Sequence, residues 1–535
     1  MLSDLNQFDS PATLEVDICI VGAGAAGITI ALELIDSGLS VLLVESGSLE
    51  YEQSTQNLYK GENVSFMDFP LETTRLRYFG GTTNHWGGMC RQLDSYDFRK
   101  ESSDQWPSWP LSKPDLMPYY AKAQELCELG DSIYDNYSLR ADLPGENPFP
   151  DDTTRLKPVF FQRSKPTRFG QKYVEQLKRS HNVHVLLHAN IKELVDTEDR
   201  TKITSISLCS LKGHQVEVKA RQYVLAAGGL ENPRILLFSK RHNINGIANT
   251  HDLVGRSYMD HFGTYIGKIL FNRPVSSDAV FFQEKNFKGT RIGGCLAPTE
   301  KLLNEKNIGN FIFLFGTGTE PDLSIEMLKS IKQDISSMRW PENLLTKLSK
   351  IVSNADTMAN LAYKNIFDTD ERLFDIESKK SGQLCSVSIN MEQFQNNNSR
   401  VLLSNELDSL GLPKIKLDWQ LCDEDKRTLE VATRELAGML GKTNSGRLRI
   451  TSDLEKNNPS YSISCHHSGT TRMSKDPQNG VVDKDCKAHG IENLYIIGSS
   501  VFPSIGWANP TLTIVALSVR LAEKLKRTHT TRHNV

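Results

Sequence analysis

Residues 16–45 read VDICIVGAGAAGITIALELIDSGLSVLLVE, and this stretch decides the fold. VDICIV is a short β-rich apolar run that meets Gly22-Ala23-Gly24-Ala25-Ala26-Gly27 at once. ITIALELIDSG then reads as a packed helix ending at Gly38, and a second strand, Ser40–Val44, ends at Glu45. The acid falls 23 residues after Gly22. Strand, GxGxxG, helix, strand and acid in this order mark a dinucleotide-binding unit. Gly22 permits the tight turn, Gly24 lets a pyrophosphate approach the backbone, and Gly27 lets helix and strand pack closely. The helix start offers free N–H groups and a positive dipole end. Glu45 is suited to accept hydrogen bonds from ribose hydroxyls. The motif alone leaves FAD and NAD both open.

Outward from this unit, Arg77–Gly88 reads RYFGGTTNHWGG, a glycine-rich loop able to wrap a flat cofactor. FGQKYVEQLKRS reads as a helix and HVLLHA as a strand. QYVLAA is a further strand running into GGLENPR and a helix, and VGRSYMDH (254–261) links out of this αβ region. Residues 266–440 mix alternating strand patterns with polar helices, among them Leu323–Ile331 and Lys426–Leu440. We expect an α/β protein, α+β overall, with a Rossmann-like nucleotide domain and a substrate domain on a mixed or antiparallel sheet with helices. The expected division is 1–75, 155–265 and 470–535 for the nucleotide domain, 76–154 for the covering loop and its connection, and 266–469 for substrate.

Bulk properties narrow the function. The chain has 535 residues, enough for two lobes, with 39% hydrophobic and 24% charged residues, a globular mix. A net charge of −3 and the absence of a long basic run argue against nucleic acid. The N-terminus carries no export signal, and no segment approaches the roughly 20 apolar residues that span a bilayer. A cytoplasmic protein is expected. Nine cysteines, none in a CxxC pair, suit reduced thiols, and no metal site is expected. Cys465, beside two histidines, reads as a buried inert thiol.

Near the C-terminus, residues 461–473 read YSISCHHSGTTRM, and Ile491–Ile497 reads as a strand feeding Gly498 and then ANPTLT (508–513). Asn509-Pro510 suits a helix start, with Asn509 as N-cap and Pro510 at the first helical position. The helix that follows, IVALSVRLAEKL, would aim its positive end at any negative charge placed there. Asn509 therefore reads either as a simple cap or as a site residue.

Taken together, VGAGAAG with Glu45, GGTTNHWGG, VLAAGGLENPR, VGRSYMDH, HHSGTTRM and ANPTLT resemble the glucose–methanol–choline (GMC) oxidoreductases, over nearly the whole chain. The C-terminal motifs look most like the pyranose oxidase and sugar-oxidising branch. The resemblance implies FAD as cofactor, held by Gly22, Gly24, Ala25, Ala26, Gly27 and Glu45, by Gly80, Gly81, Thr82, Asn84, His85, Trp86 and Gly87, by Ile191, Ala227, Gly228 and Gly498, and by Asn509, Pro510 and Thr511. It implies oxidation of a CH–OH group, with His466 as base and Asn509 as its partner. His467 is the rival base. Neighbours on an extended strand face opposite ways, so only one of the two should face the flavin. In some relatives a His at the position of His85 carries FAD covalently; a non-covalent FAD is the expectation here. The implied partners are a small alcohol, sugar-like by this resemblance, and dioxygen or a separate electron carrier. An ordinary imidazole pKa of roughly 6.5 would suit the base.

Overall fold

In a computed structural model the protein is described over residues 1–8, 11–98, 108–134, 147–149, 154–276, 278–316, 384–451, 454 and 459–533. The expected helix Leu323–Ile331 lies outside these residues.

Two sheets organise the chain. The eight-stranded nucleotide sheet runs Leu2–Asp4, Val183–Leu187, Val41–Val44, Ala12–Val21, Gln215–Leu225, Ile203–Cys209, Asn190–Asp196, with Leu494–Ile496 also pairing with Gln215–Leu225. From Leu2–Asp4 to Gln215–Leu225 every pair is parallel, as is Leu494–Ile496 on Gln215–Leu225. Ile203–Cys209 and Asn190–Asp196 return antiparallel. A parallel sheet is covered on both faces, so the central part of its strands is apolar, as in residues 18–21 and 223–225. Val41–Val44 is accordingly buried at all four positions, and the helices Ala25–Glu33, Phe169–Arg179 and Thr511–His533 pack in this lobe. Ligands in such sheets bind beyond the carboxyl ends of the strands. Here three neighbouring parallel strands end in glycine-bearing turns: Val21 before Gly22, Leu225 ahead of Gly228, and Ile496 ahead of Gly498.

The second sheet, nine-stranded, orders Gly446–Ile450, Phe262–Phe271, Leu384–Met391, Phe311–Gly316, Thr290–Pro298, Leu156–Arg163 and Met89–Cys90, with Lys285–Phe287 and Tyr461–Ile463 at its flanks. Among the described residues its strand pairings are antiparallel. The helix Asp423–Lys442 packs against it, starting three residues earlier than expected because Cys422 and Asp425 form a capping box. The mixed α/β architecture is as expected. One boundary differs: Leu156–Arg163, assigned from sequence to the nucleotide domain, is a strand of the antiparallel sheet, paired with Thr290–Pro298. Among the described residues no helix is long and apolar enough to cross a membrane. Among them, too, no group of three or more His, Cys, Asp or Glu gathers as a metal site.

Candidate active site

The glycine turn shows why each glycine is there. Gly22 has φ +102°, a left-handed conformation that disfavours side chains. A Cβ on Gly27 would lie 1.9 Å from the Gly22 carbonyl oxygen, so helix and turn meet only if residue 27 has none. A Cβ on Gly24 would meet nothing within 4 Å. That open space belongs to a cavity of about 470 Å³ that also reaches His466 and Asn509. The helix beginning at Ala25 has no side-chain cap, which leaves its first-turn N–H groups for a ligand. Glu45 lines the cavity but is partly committed: its carboxylate accepts N–H bonds from Ala23 at 3.0 Å and from Gly47 at 3.0 Å. It braces the turn, with lone pairs left for a ribose. This cradle fits FAD: space where a Cβ would point, uncapped N–H donors and a carboxylate beside them.

Of the residues assigned to FAD, Gly22, Gly24, Ala25, Ala26, Glu45, Gly81, Thr82, His85, Trp86, Gly87, Ile191, Ala227, Gly228, Gly498, Asn509, Pro510 and Thr511 line this cavity. Three stand behind it. Gly27 packs on Gly22, Gly80 packs on Gly170, and the Asn84 amide donates to the Phe79 carbonyl at 2.9 Å. His85 lines the cavity, its ring without a hydrogen-bond partner among the described residues, and burial, then the charge of Arg168, lowers its pKa. Sequence reading missed a charged wall. Glu231 accepts from Arg75 (3.1 Å), Arg77 (3.2 Å) and Arg234 (3.1 Å). Burial alone would raise the Glu231 pKa, but Arg234, Arg77 and Arg75 outweigh it and hold it at about 2. Glu231 and Arg234 sit in the quoted LENPR segment, yet only the fold brings Arg75 and Arg77 to them.

The two histidines differ in what they touch. His467 is buried and engaged through both nitrogens: Nδ1 lies 2.7 Å from the Tyr258 hydroxyl and Nε2 lies 3.0 Å from Thr74 Oγ1. The Thr74 hydroxyl donates to the Leu71 carbonyl at 2.8 Å, so His467 Nε2–H must donate to Thr74. His466 is half-buried, its N–H donates to Asp260 at 2.8 Å, and its Nδ1 lies 2.8 Å from Nδ1 of His261. Its Nε2 has no partner among the described residues, and the ring lines the cavity. The pair does not sit on an extended strand as expected. The strand ends at Ile463, and Cys465 takes φ +58°. A left-handed residue just before the pair, rather than strand alternation, sets the two rings apart. Cys465 itself is half-buried and lines the cavity, and burial pushes its thiol up to about 12, so it stays protonated.

A further correction concerns the pKa of His466. Burial first, then His261 and His467, pull it down to about 3, against an opposing effect of Asp260. The ring is therefore neutral across the physiological range, well below the ordinary value expected from sequence. Asn509 differs too. The C-terminal helix begins at Thr511, and its first bond runs from Ile514 N–H to the Pro510 carbonyl at 2.9 Å. Pro510 therefore holds the cap position, and Asn509 stands one residue outside. Its amide has no hydrogen-bond partner among the described residues, and it lines the cavity. The cap reading falls.

Comparison with known proteins agrees with this geometry. Residues 395–518 match the GMC oxidoreductase family and residues 17–244 match the FAD dependent oxidoreductase family. The chain is 23% identical to the fructose dehydrogenase large subunit of Gluconobacter japonicus, over 96% of this chain and 98% of that one. It is 22% identical to 2-methyl-1,2-propanediol dehydrogenase of Mycolicibacterium austroafricanum, over 96% and 95%. The structure of pyridoxine 4-oxidase from Mesorbium loti shares the fold, with TM-score 0.57 and 16% identity over 95% of this chain and 98% of that one. The chain belongs to the GMC oxidoreductases, and is an FAD-dependent enzyme acting on CH–OH donors.

Proposed function

We propose that this enzyme oxidises a CH–OH group of a sugar, glycoside or related polyol to a ketone or aldehyde, with His466 as general base and Asn509 as its partner. One observation carries the assignment. His466 and Asn509 both line the cavity that fits FAD, and among the described residues His466 Nε2 and the Asn509 amide have no hydrogen-bond partner, whereas His467 is bonded through both ring nitrogens. Bound FAD supplies the hydride acceptor. His466 takes the hydroxyl proton on Nε2, and a neutral ring is the form able to do so. Asn509 accepts or donates to the substrate oxygen and orients its carbon. His467 packs behind, and His85 touches FAD without a covalent bond. Electrons pass on to dioxygen or to a separate carrier; both oxidases and dehydrogenases are among the similar proteins. A cytoplasmic location belongs to the same reading.

The sugar-like substrate is supported by the C-terminal motifs and by likeness to a fructose dehydrogenase subunit. A second reading, a non-sugar alcohol, is favoured by the equally extensive likeness to a propanediol dehydrogenase. The test is the flavin absorbance of the purified protein under anaerobic conditions with a panel of sugars and simple alcohols. Bleaching by a sugar, slowed about 10²–10⁴-fold in His466→Ala, is expected. The rate should show no acid limb near pH 6.5, since the base titrates far lower. Bleaching only by non-sugar alcohols would move the assignment to the second reading. A flavin that no alcohol reduces, or a His466→Ala variant with unchanged rate, would overturn the assignment of the base.

A further inference from the structure

His261 stands outside every role given so far. It is fully buried, at the end of the VGRSYMDH segment, and both of its ring nitrogens are engaged. Nε2 lies 2.7 Å from the Gly506 carbonyl oxygen. Nδ1 lies 2.8 Å from His466 Nδ1. A carbonyl oxygen can only accept, so Nε2 of His261 must carry a proton. Burial disfavours a second proton on the same ring and lowers its pKa. Nδ1 of His261 is therefore a bare lone pair. Two bare nitrogens cannot sit 2.8 Å apart without repulsion, so the proton between the rings belongs to His466 Nδ1. What remains on His466 is a lone pair on Nε2, on the ring that lines the cavity. The two rings are mutually perpendicular, at 89°, which suits an in-plane donor meeting an in-plane acceptor.

The carbonyl at the head of this chain is itself held. Glu392, from the end of the antiparallel strand Leu384–Met391, accepts the N–H groups of Gly506 at 2.8 Å and Ile505 at 3.2 Å. Its other oxygen accepts Asn310 N–H at 3.2 Å. Residues 505 and 506 lie on the same short segment as Asn509, so this carboxylate also steadies the approach to the second site residue.

We propose that His261 is a positioning residue that fixes the proton of His466 on Nδ1, so that Nε2 is the basic atom presented to the alcohol. The proposal rests on the reading of His466 as base. It assigns His261 no contact with substrate or FAD. It makes the hydrogen-bond chain directional: His466 Nδ1–H donates to His261, and His261 Nε2–H donates to the Gly506 carbonyl.

Two substitutions separate this role from simple packing. In His261→Asn, the amide oxygen reaches about where Nδ1 was and can still accept from His466, but nothing donates to Gly506. In His261→Gln, the amide nitrogen reaches about where Nε2 was and still donates to Gly506, but His466 loses its acceptor. If His261 sets the tautomer, Asn keeps kcat within a few-fold of the parent and Gln lowers it about 10–100-fold with KM little changed. That range is the usual effect of removing an outer hydrogen-bond partner of a metal-bound imidazole. If His261 only holds the loop, the order reverses. A readout independent of turnover is ¹⁵N NMR of the histidine-labelled protein, with the His466 signals assigned by their loss in His466→Ala. The parent and His261→Asn should show a protonated Nδ1 and a bare Nε2, while His261→Gln should show a mixture. FAD content and urea midpoint near parent values would confirm that each variant folds. A bare Nδ1 on His466 in the parent, or Gln matching the parent in kcat, would overturn the proposal. His466→Ala with an unchanged rate would instead sink the underlying assignment of the base.

Discussion

The two ends of the cavity are built on opposite plans. At the dinucleotide end, the cradle is mostly backbone, a turn of glycines and a helix start, with the Glu45 carboxylate beside them. At the proposed alcohol end, side chains line the cavity and are backed by a second layer of hydrogen-bonded residues. The first plan tolerates little change in shape, because backbone meets backbone at close range. The second tolerates changes in shape better than changes in hydrogen-bonding pattern. This difference also governs how each end could be read from the sequence.

The largest effect that would sharpen the comparison is at the turn. Gly27→Ala drives a Cβ into the Gly22 carbonyl, which must move. We expect a loss of at least about 1–3 kcal/mol of stability, the range for overpacking, and little FAD in the purified protein. Gly24→Ala is its control, since its Cβ meets no protein atom within 4 Å. It should leave the urea midpoint near the parent value and lower only the flavin content. Equal effects of the two on stability would break the distinction between a packing glycine and a ligand-facing one.

A smaller effect is expected at the other end. His467→Ala takes one hydrogen-bond partner each from the Tyr258 hydroxyl and from Thr74 Oγ1 in a buried place. A cost of about 1–3 kcal/mol is expected from stranding such groups. Flavin reduction per folded molecule should fall far less than in His466→Ala. Measuring both, the urea midpoint and the anaerobic bleaching rate, tests whether adjacent histidines divide structure from chemistry.

Legibility followed the same divide. The dinucleotide end was readable because each requirement is local: Gly22, Gly24, Gly27 and Glu45 fall within 24 residues and follow directly from backbone geometry. The alcohol end was readable only in part. The motif resemblance points to His466 and Asn509, and both line the cavity, but strand alternation, which would choose between the histidines, does not apply past Ile463. The true cause, Cys465 at φ +58°, has no sequence signal, since a left-handed Cys is uncommon. His261 was quoted within a motif and given no task, because its partners lie 205 and 245 residues away. The depressed pKa of His466 likewise needs the burial and the second ring, neither of which is local. Helix starts differed by three residues at Cys422 and by one at Pro510, where unusual groups hold the cap position.

The smallest expected effect is a pH slope, and it tests how the second layer is anchored. Glu392 is fully buried, and burial raises its pKa to about 7, with the N–H groups of Gly506, Asn310 and Ile505 opposing and Asp425 adding to the rise. Asp97, raised well above its ordinary value by burial and then by Asp94 and Glu392, lies on the other side of Asn310. An acid whose folded pKa is raised binds its proton more tightly in the folded state. Glu392 therefore favours folding below its unfolded value near 4.5 and loses that advantage as pH rises towards 7. His466 has the opposite sign: its folded pKa is depressed, so stability rises with pH between about 3 and 6.5. Glu392→Gln removes the first contribution and, with it, the part of the rise at Asp97 that Glu392 causes. Between pH 5 and 7 its stability should fall less steeply with pH than that of the parent. The difference is bounded by one proton, about 1.4 kcal/mol per pH unit at most. Glu392→Gln also turns an amide N–H toward Asn310 N–H, so its absolute stability should be lower at pH 5, where the parent acid is mostly protonated. Unfolding midpoints across this pH range, for parent and variant, give both numbers. An unchanged slope would mean that Glu392 is ionised throughout. The Gly506 carbonyl would then be anchored by a permanent buried charge rather than by an acid that titrates near neutrality.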